Sequence, residues 1–447
     1  MRRYDKFLKG DTLNTGFQTG HQPTSTIIPM AIIGLLFFIF GFVTWLNGSL
    51  IPFLKIICDL NEFQALFVTF AFYIAYTVMA FPMSLVLDRT GYRNGMALGL
   101  GIMVVGTLMF IPAALTANYL FFLIGLFVLG TGLTILQTAS NPYVVLIGPA
   151  ESAAMRISIM GIINKGAGVI VPIVFAALIL SDLGDTSEAA LMALAPAELQ
   201  ALSEKLVVPY LYMAVALAFL IGLVKFAPLP HAEPEAAETA GDSEKTSILA
   251  FPQIILGTIG IFAYVGVEVI AGDTIGLFGA GLGVPHFAVL TSYTMGAMVV
   301  GYLVGVTCIP KYLSQQTALM GSATAGLLCV LGILISDPAS EGISEMLLGW
   351  AGVPGVPNPV MFVALMGTAH ALVWPTLWPL ALTGLGKFTA QGSALLIMGI
   401  SGGAILPLVF GKLAETSGDM QAAYWIGLPC YAFILFYALK GHKMRSW

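Results

Sequence analysis

The chain has 447 residues and a formal net charge of -5; 58% of it is hydrophobic, 9% is charged, and the mean hydropathy is +0.92. Soluble domains are about a quarter charged. The composition therefore excludes an ordinary soluble protein and points to a polytopic membrane protein with the lipid bilayer as its medium. No basic tract is present to meet nucleic acid.

Residues 1–26 are polar and basic. No short apolar core with a small-residue cleavage site follows them, so the head is expected to stay as a cytoplasmic segment. A spanning helix needs about 20 mostly apolar residues. Twelve such blocks follow, at 27–53, 62–87, 94–115, 118–146, 155–180, 207–228, 250–276, 286–309, 314–336, 358–384, 388–411 and 421–440. The sixth and seventh are separated by PLPHAEPEAAETAGDSEKTS, acidic and punctuated by proline, which reads as a mobile linker. The expected fold is all-α, with twelve transmembrane helices in two six-helix bundles. Its parts are a head 1–26, a first bundle 27–228, a linker 229–249, a second bundle 250–440 and a cytoplasmic tail 441–447.

Charge sets the expected orientation. With both termini cytoplasmic, 14 of the 18 Lys and Arg fall on cytoplasmic segments and only Lys55, Lys205 and Lys412 face outward. That bias follows the positive-inside rule. The remaining cation, Lys165, lies within the fifth block. The four cysteines, Cys58, Cys308, Cys329 and Cys430, are scattered and mostly apolar-flanked, as packing thiols are.

Polar residues inside the blocks are the candidates for function, because a charge at the bilayer centre costs at least about 2.5–3.5 kcal/mol. Of 23 Asp and Glu, only Glu268 and Asp273 lie within an apolar block. They are candidates for a cation-coupling site with Lys165 and Thr274. Five residues apart on a helix, the two acids do not share a face. Unwinding at Ala271-Gly272 would bring both to one cavity. The oxygens of Glu268, Asp273 and Thr274 suit sodium, whereas one buried carboxyl suits a proton. A structural pair of Glu268 with Lys165 is the plainer alternative. The amides Asn47, Gln137, Asn141 and Asn164 offer donors and acceptors to sugar hydroxyls without the cost of a full charge. Asn141 precedes Pro142 and can equally bond backbone freed by the proline. In AHALVWPTLWPL, His370, Trp374 and Trp378 recur every four residues and form one stripe, with Trp374 beside a proline kink. Tyr264 and Tyr293 are further aromatic candidates.

Several stretches resemble a known family. TWLNGSLIPFLK, NEFQALFVTFAFYIAY, LDRTGYRNG, LQTASNPYVVLIGP and ESAAMRISIMGIINKGAG, in that order, resemble the fucose–proton symporter family of the major facilitator superfamily, nearest its glucose/galactose transporter branch. The resemblance implies two bundles rocking about a central sugar site. It implies a cavity formed by spans that include the first, fourth and fifth, and a sugar contact at Asn164. It also implies that Asp88, Arg89 and Arg93 help latch the inner gate; ordinary anchoring of the loop is the alternative. The chain departs from the family at one point. Proton-linked fucose members carry acids in the first and fourth spans, where Gly48 and Gln137 stand here. The coupling acids are therefore expected in the seventh span.

An intramembrane enzyme is disfavoured, because no HExxH or GxSxG motif is present and the five histidines are widely spread. A ring-built channel fits pseudo-repeats with inserted carboxylates less well than alternating access does. The expected function is cation-coupled import of a neutral hexose across a bacterial inner membrane by a monomer, with sodium placed ahead of the proton and no cofactor. The alternative is an amino sugar such as N-acetylglucosamine, carried with protons or by uniport.

Overall fold

The structure is a computed structural model that describes residues 27–146, 153–183, 186–226, 247–309 and 312–447. The expected head 1–26 and the linker as far as residue 246 lie outside the described residues, as do the side chains of Asp88 and Asn141.

All regular structure among the described residues is helical. Twelve stretches are long and apolar enough to cross a bilayer: Ile28–Ile57, Glu62–Met83, Arg89–Thr116, Tyr119–Ser140, Met155–Ile179, Pro196–Phe226, Pro252–Asp273, Phe287–Cys308, Gln315–Ile335, Asn358–Leu382, Gln391–Ser417 and Met420–Lys443. Numbered in that order as spans 1 to 12, each overlaps one expected block. The largest difference is at span 6. There a short helix, Pro196–Glu204, precedes the expected start, with Pro196 in its first turn and Glu198 Oε2 accepting from Ala195 N at 2.8 Å. An even number of crossings puts the ends of spans 1 and 12 that lead to the chain termini on one face, here the terminal face. The opposite, distal face carries the short helices Glu188–Met192 and Gly342–Leu348.

Local sequence explains where the spans start and break. Asn61 and Gln64 form a reciprocal capping box that starts span 2, Gln64 N donating to Asn61 Oδ1 at 2.7 Å and Asn61 N to Gln64 Oε1 at 3.0 Å. Spans 2 and 3 meet at Gly91, whose φ of 73° and ψ of 169° suit glycine. Span 1 consists of two helices, Ile27–Trp45 and Asn47–Ile57, and the second continues through Pro52. Span 10 breaks between His370 and Val373, because Pro375 has no N–H for Ala371 O.

Outward faces are apolar, with Phe81 and Phe219 about 70% exposed where lipid would lie. Lipid removes the hydrophobic drive between helices, so close approach depends on small residues. At Gly48 a Cβ would stand 2.7 Å from Gly272 O and would run into Thr291 Oγ1. Spans 1, 7 and 8 therefore touch almost backbone to backbone at the distal side.

Spans 1–6 and 7–12 are sealed to each other at that side. Ser49 Oγ donates to Ala288 O at 2.6 Å, and Thr69 Oγ1 to Asp273 Oδ2 at 3.1 Å. Ser292 Oγ donates to Val169 O at 2.6 Å, and Thr186 Oγ1 to Pro285 O at 2.5 Å. Lys55 was expected on a loop. It is instead buried at the end of span 1, with Glu188 Oε1 at 2.8 Å and Glu62 Oε1 at 3.8 Å. On the terminal face the tail folds back, with Trp447 Nε1 donating to Leu249 O at 2.8 Å and Arg445 to Thr383 O at 3.3 Å.

Candidate functional site

A cavity of about 190 Å³ lies between the two halves. Its walls come from spans 1, 2, 4, 5, 7, 8, 10 and 11, from mid-span towards the terminal face. With the distal side sealed, its mouth faces the terminal side.

Charge in the cavity is concentrated in one pair. Lys165 Nζ of span 5 lies 2.8 Å from Glu268 Oε1 of span 7, and both side chains are about nine-tenths buried. The ammonium also sits over the Trp45 ring, 4.2 Å from its centroid, which places a desolvated cation on an aromatic face. Trp45 is wedged between Gly168 of span 5 and Gly272 of span 7, where a side chain at either glycine would strike the indole. Its Nε1 donates to Asn164 Oδ1 at 3.4 Å, while Asn164 Nδ2 donates to Phe37 O at 3.2 Å. Asn164 thus orients Trp45, and Trp45 carries Lys165.

A neutral wall surrounds the pair. Gln137 Nε2 donates to Tyr76 Oη at 2.8 Å, which leaves the amide oxygen and the phenol proton for a ligand. Tyr73 stacks near Tyr76, with ring centroids 6.1 Å apart. From the other half come Tyr264, Trp374 and Tyr302. Trp378 stacks behind Trp374 at 5.0 Å and braces it.

Of the expected site residues, Gln137, Asn164, Lys165, Tyr264, Glu268 and Trp374 line the cavity. Asn47, His370, Trp378 and Tyr293 are not among the lining residues. The break in span 10 turns His370 away from the stripe expected of an unbroken helix. It is buried, hydrogen-bonded through Nε2 to Tyr431 Oη, and its ring supports Tyr264 at 6.1 Å. Asn47 is 1% exposed behind Trp45, and its Nδ2 has no partner among the described residues.

The expected unwinding of span 7 is absent. The helix continues through Ala271 and Gly272 to Asp273, and a second helix, Ile275–Gly281, resumes after Thr274. The Ala271 and Gly272 carbonyls accept from Thr294 and Thr291 of span 8 at 3.2 and 2.8 Å, so they are not freed for an ion. Thr274 Oγ1 is engaged with Ile270 O at 2.6 Å and Tyr424 Oη at 2.9 Å. Asp273 points to Thr69 of span 2 and does not line the cavity. Glu268, Asp273 and Thr274 therefore do not form one oxygen cage. On the terminal face Arg89 is exposed and Arg93 half-buried.

Trp45, Tyr73, Tyr76, Phe37, Phe40 and Tyr302 line the cavity without having been singled out in the sequence. The i, i+3 spacing of the tyrosines in FAFYIAY was the available signal. In a chain with 15 tyrosines and 28 phenylalanines, such spacing is common.

Comparison with known proteins places this architecture. Residues 33–407 match the family model for the Major Facilitator Superfamily. The chain belongs to that superfamily. It is a transporter rather than an enzyme, and lies among the glucose/galactose transporters and fucose–proton symporters. The transporter is 36% identical over 415 residues to the glucose/galactose transporter of Brucella abortus biovar 1 (strain 9-941), covering 92% of this chain and 93% of that one. It is 30% identical to the putative glucose/galactose transporter of Helicobacter pylori (strain ATCC 700392 / 26695), over 95% and 99% of the two chains. A crystal structure of FucP, the E. coli fucose:proton symporter, in the outward conformation superposes with a TM-score of 0.69 at 25% identity, over 95% of this chain and 100% of that one.

Proposed function

We propose that this transporter imports a neutral hexose of the glucose/galactose type together with a proton, across a bacterial inner membrane with both termini in the cytoplasm. The observation that carries this reading is the cavity wall. It presents amide, phenol and indole groups, and the one cation among its described lining residues is cancelled by Glu268 at 2.8 Å. Such a site offers hydrogen bonds and an aromatic face to an uncharged polyhydroxyl ligand and leaves no fixed charge for an anion. The names carried by its relatives agree with a hexose.

In this orientation the mouth faces the cytoplasm and the state is inward-facing. Lys165 and Glu268 stand on opposite halves, so their pair ties the halves across the cavity. A proton on Glu268 dissolves the pair and leaves Lys165 on the Trp45 ring; loss of the proton to the cytoplasm restores it. Sodium, the ion first expected, finds less support. It would have to share Glu268 with an ammonium already in contact, while Asp273 and Thr274 have other partners.

Labelled glucose uptake into proteoliposomes tests the reading. An inward proton gradient alone should drive a transient accumulation above equilibrium. Accumulation driven only by sodium would overturn the coupling ion. No glucose or galactose uptake under either gradient would overturn the hexose and turn attention to amino sugars. Gln137→Ala should raise the apparent KM about tenfold, the worth of roughly 1.4 kcal/mol from a lost hydrogen-bonding group.

A further inference from the structure

We infer that Asp273 is a second proton-binding site, separate from the cavity, whose occupancy decides whether the distal seam can close. The carboxyl is fully buried at the seam between the two halves. It accepts one hydrogen bond, from the hydroxyl of Thr69 on the opposite half at 3.1 Å. Its other oxygen, Oδ1, has no partner among the described residues. No cation pairs with it there; the cavity's cation, Lys165, is held by Glu268. The titratable groups close enough to act on it are Tyr73 of span 2 and Glu268 on its own helix. Span 12 contributes Tyr424 next door, through Thr274. None of these is positive.

A buried carboxylate with a single neutral donor is expensive, whereas the neutral acid fits such a place with one hydroxyl partner. Thr69 and Asp273 belong to different halves, so their bond exists only while the seam is shut. Opening the distal side separates them and admits water, which solvates the charged form. The proton balance is direct: H+ from the distal solvent adds to the carboxylate as the seam closes and leaves when it reopens. Ser49, whose hydroxyl reaches Ala288 O across the same seam, and the close contact at Gly48 hold the neutral, shut form together. This rests on the alternating halves of the reading above, but not on the hexose, and a proton taken up and returned on the distal side adds nothing to the protons carried across.

The test needs no sugar. Spin labels at Ala197→Cys and Ala339→Cys, exposed distal positions on the two halves, report the width of the seam in the full chain with its native cysteines replaced. Without Asp273 substitution, the long-distance population should grow several-fold between pH 5.5 and pH 8.5. Asp273→Asn should stay in the short-distance population at both. Asp273→Ser is a second neutral variant with the same expected result if the asparagine does not fold. Glu415→Gln, at an exposed acid on the distal end of span 11, should keep the pH response. The inference is overturned if the labelled parent shows no response, if the neutral Asp273 variants keep it, or if Glu415→Gln removes it. A failed hexose assay leaves all three readings intact.

Discussion

Glu268→Gln should abolish concentrative uptake, so that sugar inside reaches the outside level and goes no higher, while exchange of sugar for sugar continues. Glutamine keeps the shape and can still accept from Lys165 Nζ, so the 2.8 Å contact has a substitute, but it cannot take up and release a proton. Coupling is lost and the path remains. A variant that still concentrated sugar would remove Glu268 from the coupling role. Lys165→Ala is a different lesion. It strands a carboxylate that is nine-tenths buried and empties the space over the Trp45 ring. Breaking a buried pair from one side costs about 3–5 kcal/mol, whereas replacing both partners by neutral groups of similar size is often close to neutral. The Lys165→Met, Glu268→Gln double variant should therefore be clearly more stable to heat than Lys165→Ala, while remaining unable to concentrate sugar. Equal melting of the two would mean that the pair contributes little beyond packing.

Gly48→Ala should slow transport by about five- to a hundredfold without touching the cavity. The added Cβ meets Gly272 O at 2.7 Å and the Thr291 hydroxyl, and neither the span 7 backbone nor a side chain already bonded to it can move away easily. Overpacking of this kind costs about 1–3 kcal/mol. Here it falls on the distally sealed state alone, because the contact exists only when spans 1, 7 and 8 are together. Each 1.4 kcal/mol shifts the balance of states about tenfold. The variant should bind sugar from the distal side and release it poorly to the terminal side. Gly48→Asp should be worse still, because a larger and charged group enters the same gap. Normal turnover by Gly48→Ala would show that the seam opens and closes without this contact.

Four of the six expected residues that line the cavity share a physical property, being polar or ionisable inside an apolar stretch; Tyr264 and Trp374 are the aromatic two. Gln137, Asn164, Lys165 and Glu268 stand out because a bilayer span has a strong reason to omit them, and the structure places all four on the cavity wall. The aromatics were harder to read. Trp45, Tyr73 and Tyr76 are as acceptable to lipid or core as to a ligand, so their sequence context carries no contrast. His370 was misplaced because a regular helical period was assumed through span 10, whereas Trp378 keeps the period and is screened from the cavity by Trp374 stacked on it. The break before Val373 rotates His370 into a bond with Tyr431. Asp273 and Thr274 were grouped with Glu268 on an unwinding that a following helical turn and the threonines of span 8 make unnecessary.

The sequence by itself determined the twelve crossings and the short list of intramembrane polar groups. Both follow from one local rule, the cost of leaving polar atoms in hydrocarbon, which each segment obeys without reference to the others. Tertiary structure alone decided which of those groups meet. That Glu268 turns to Lys165 while Asp273, five residues on, turns to Thr69 depends on helix rotation and on which spans come within reach. Those are settled by glycine contacts and proline breaks acting between segments far apart in the chain.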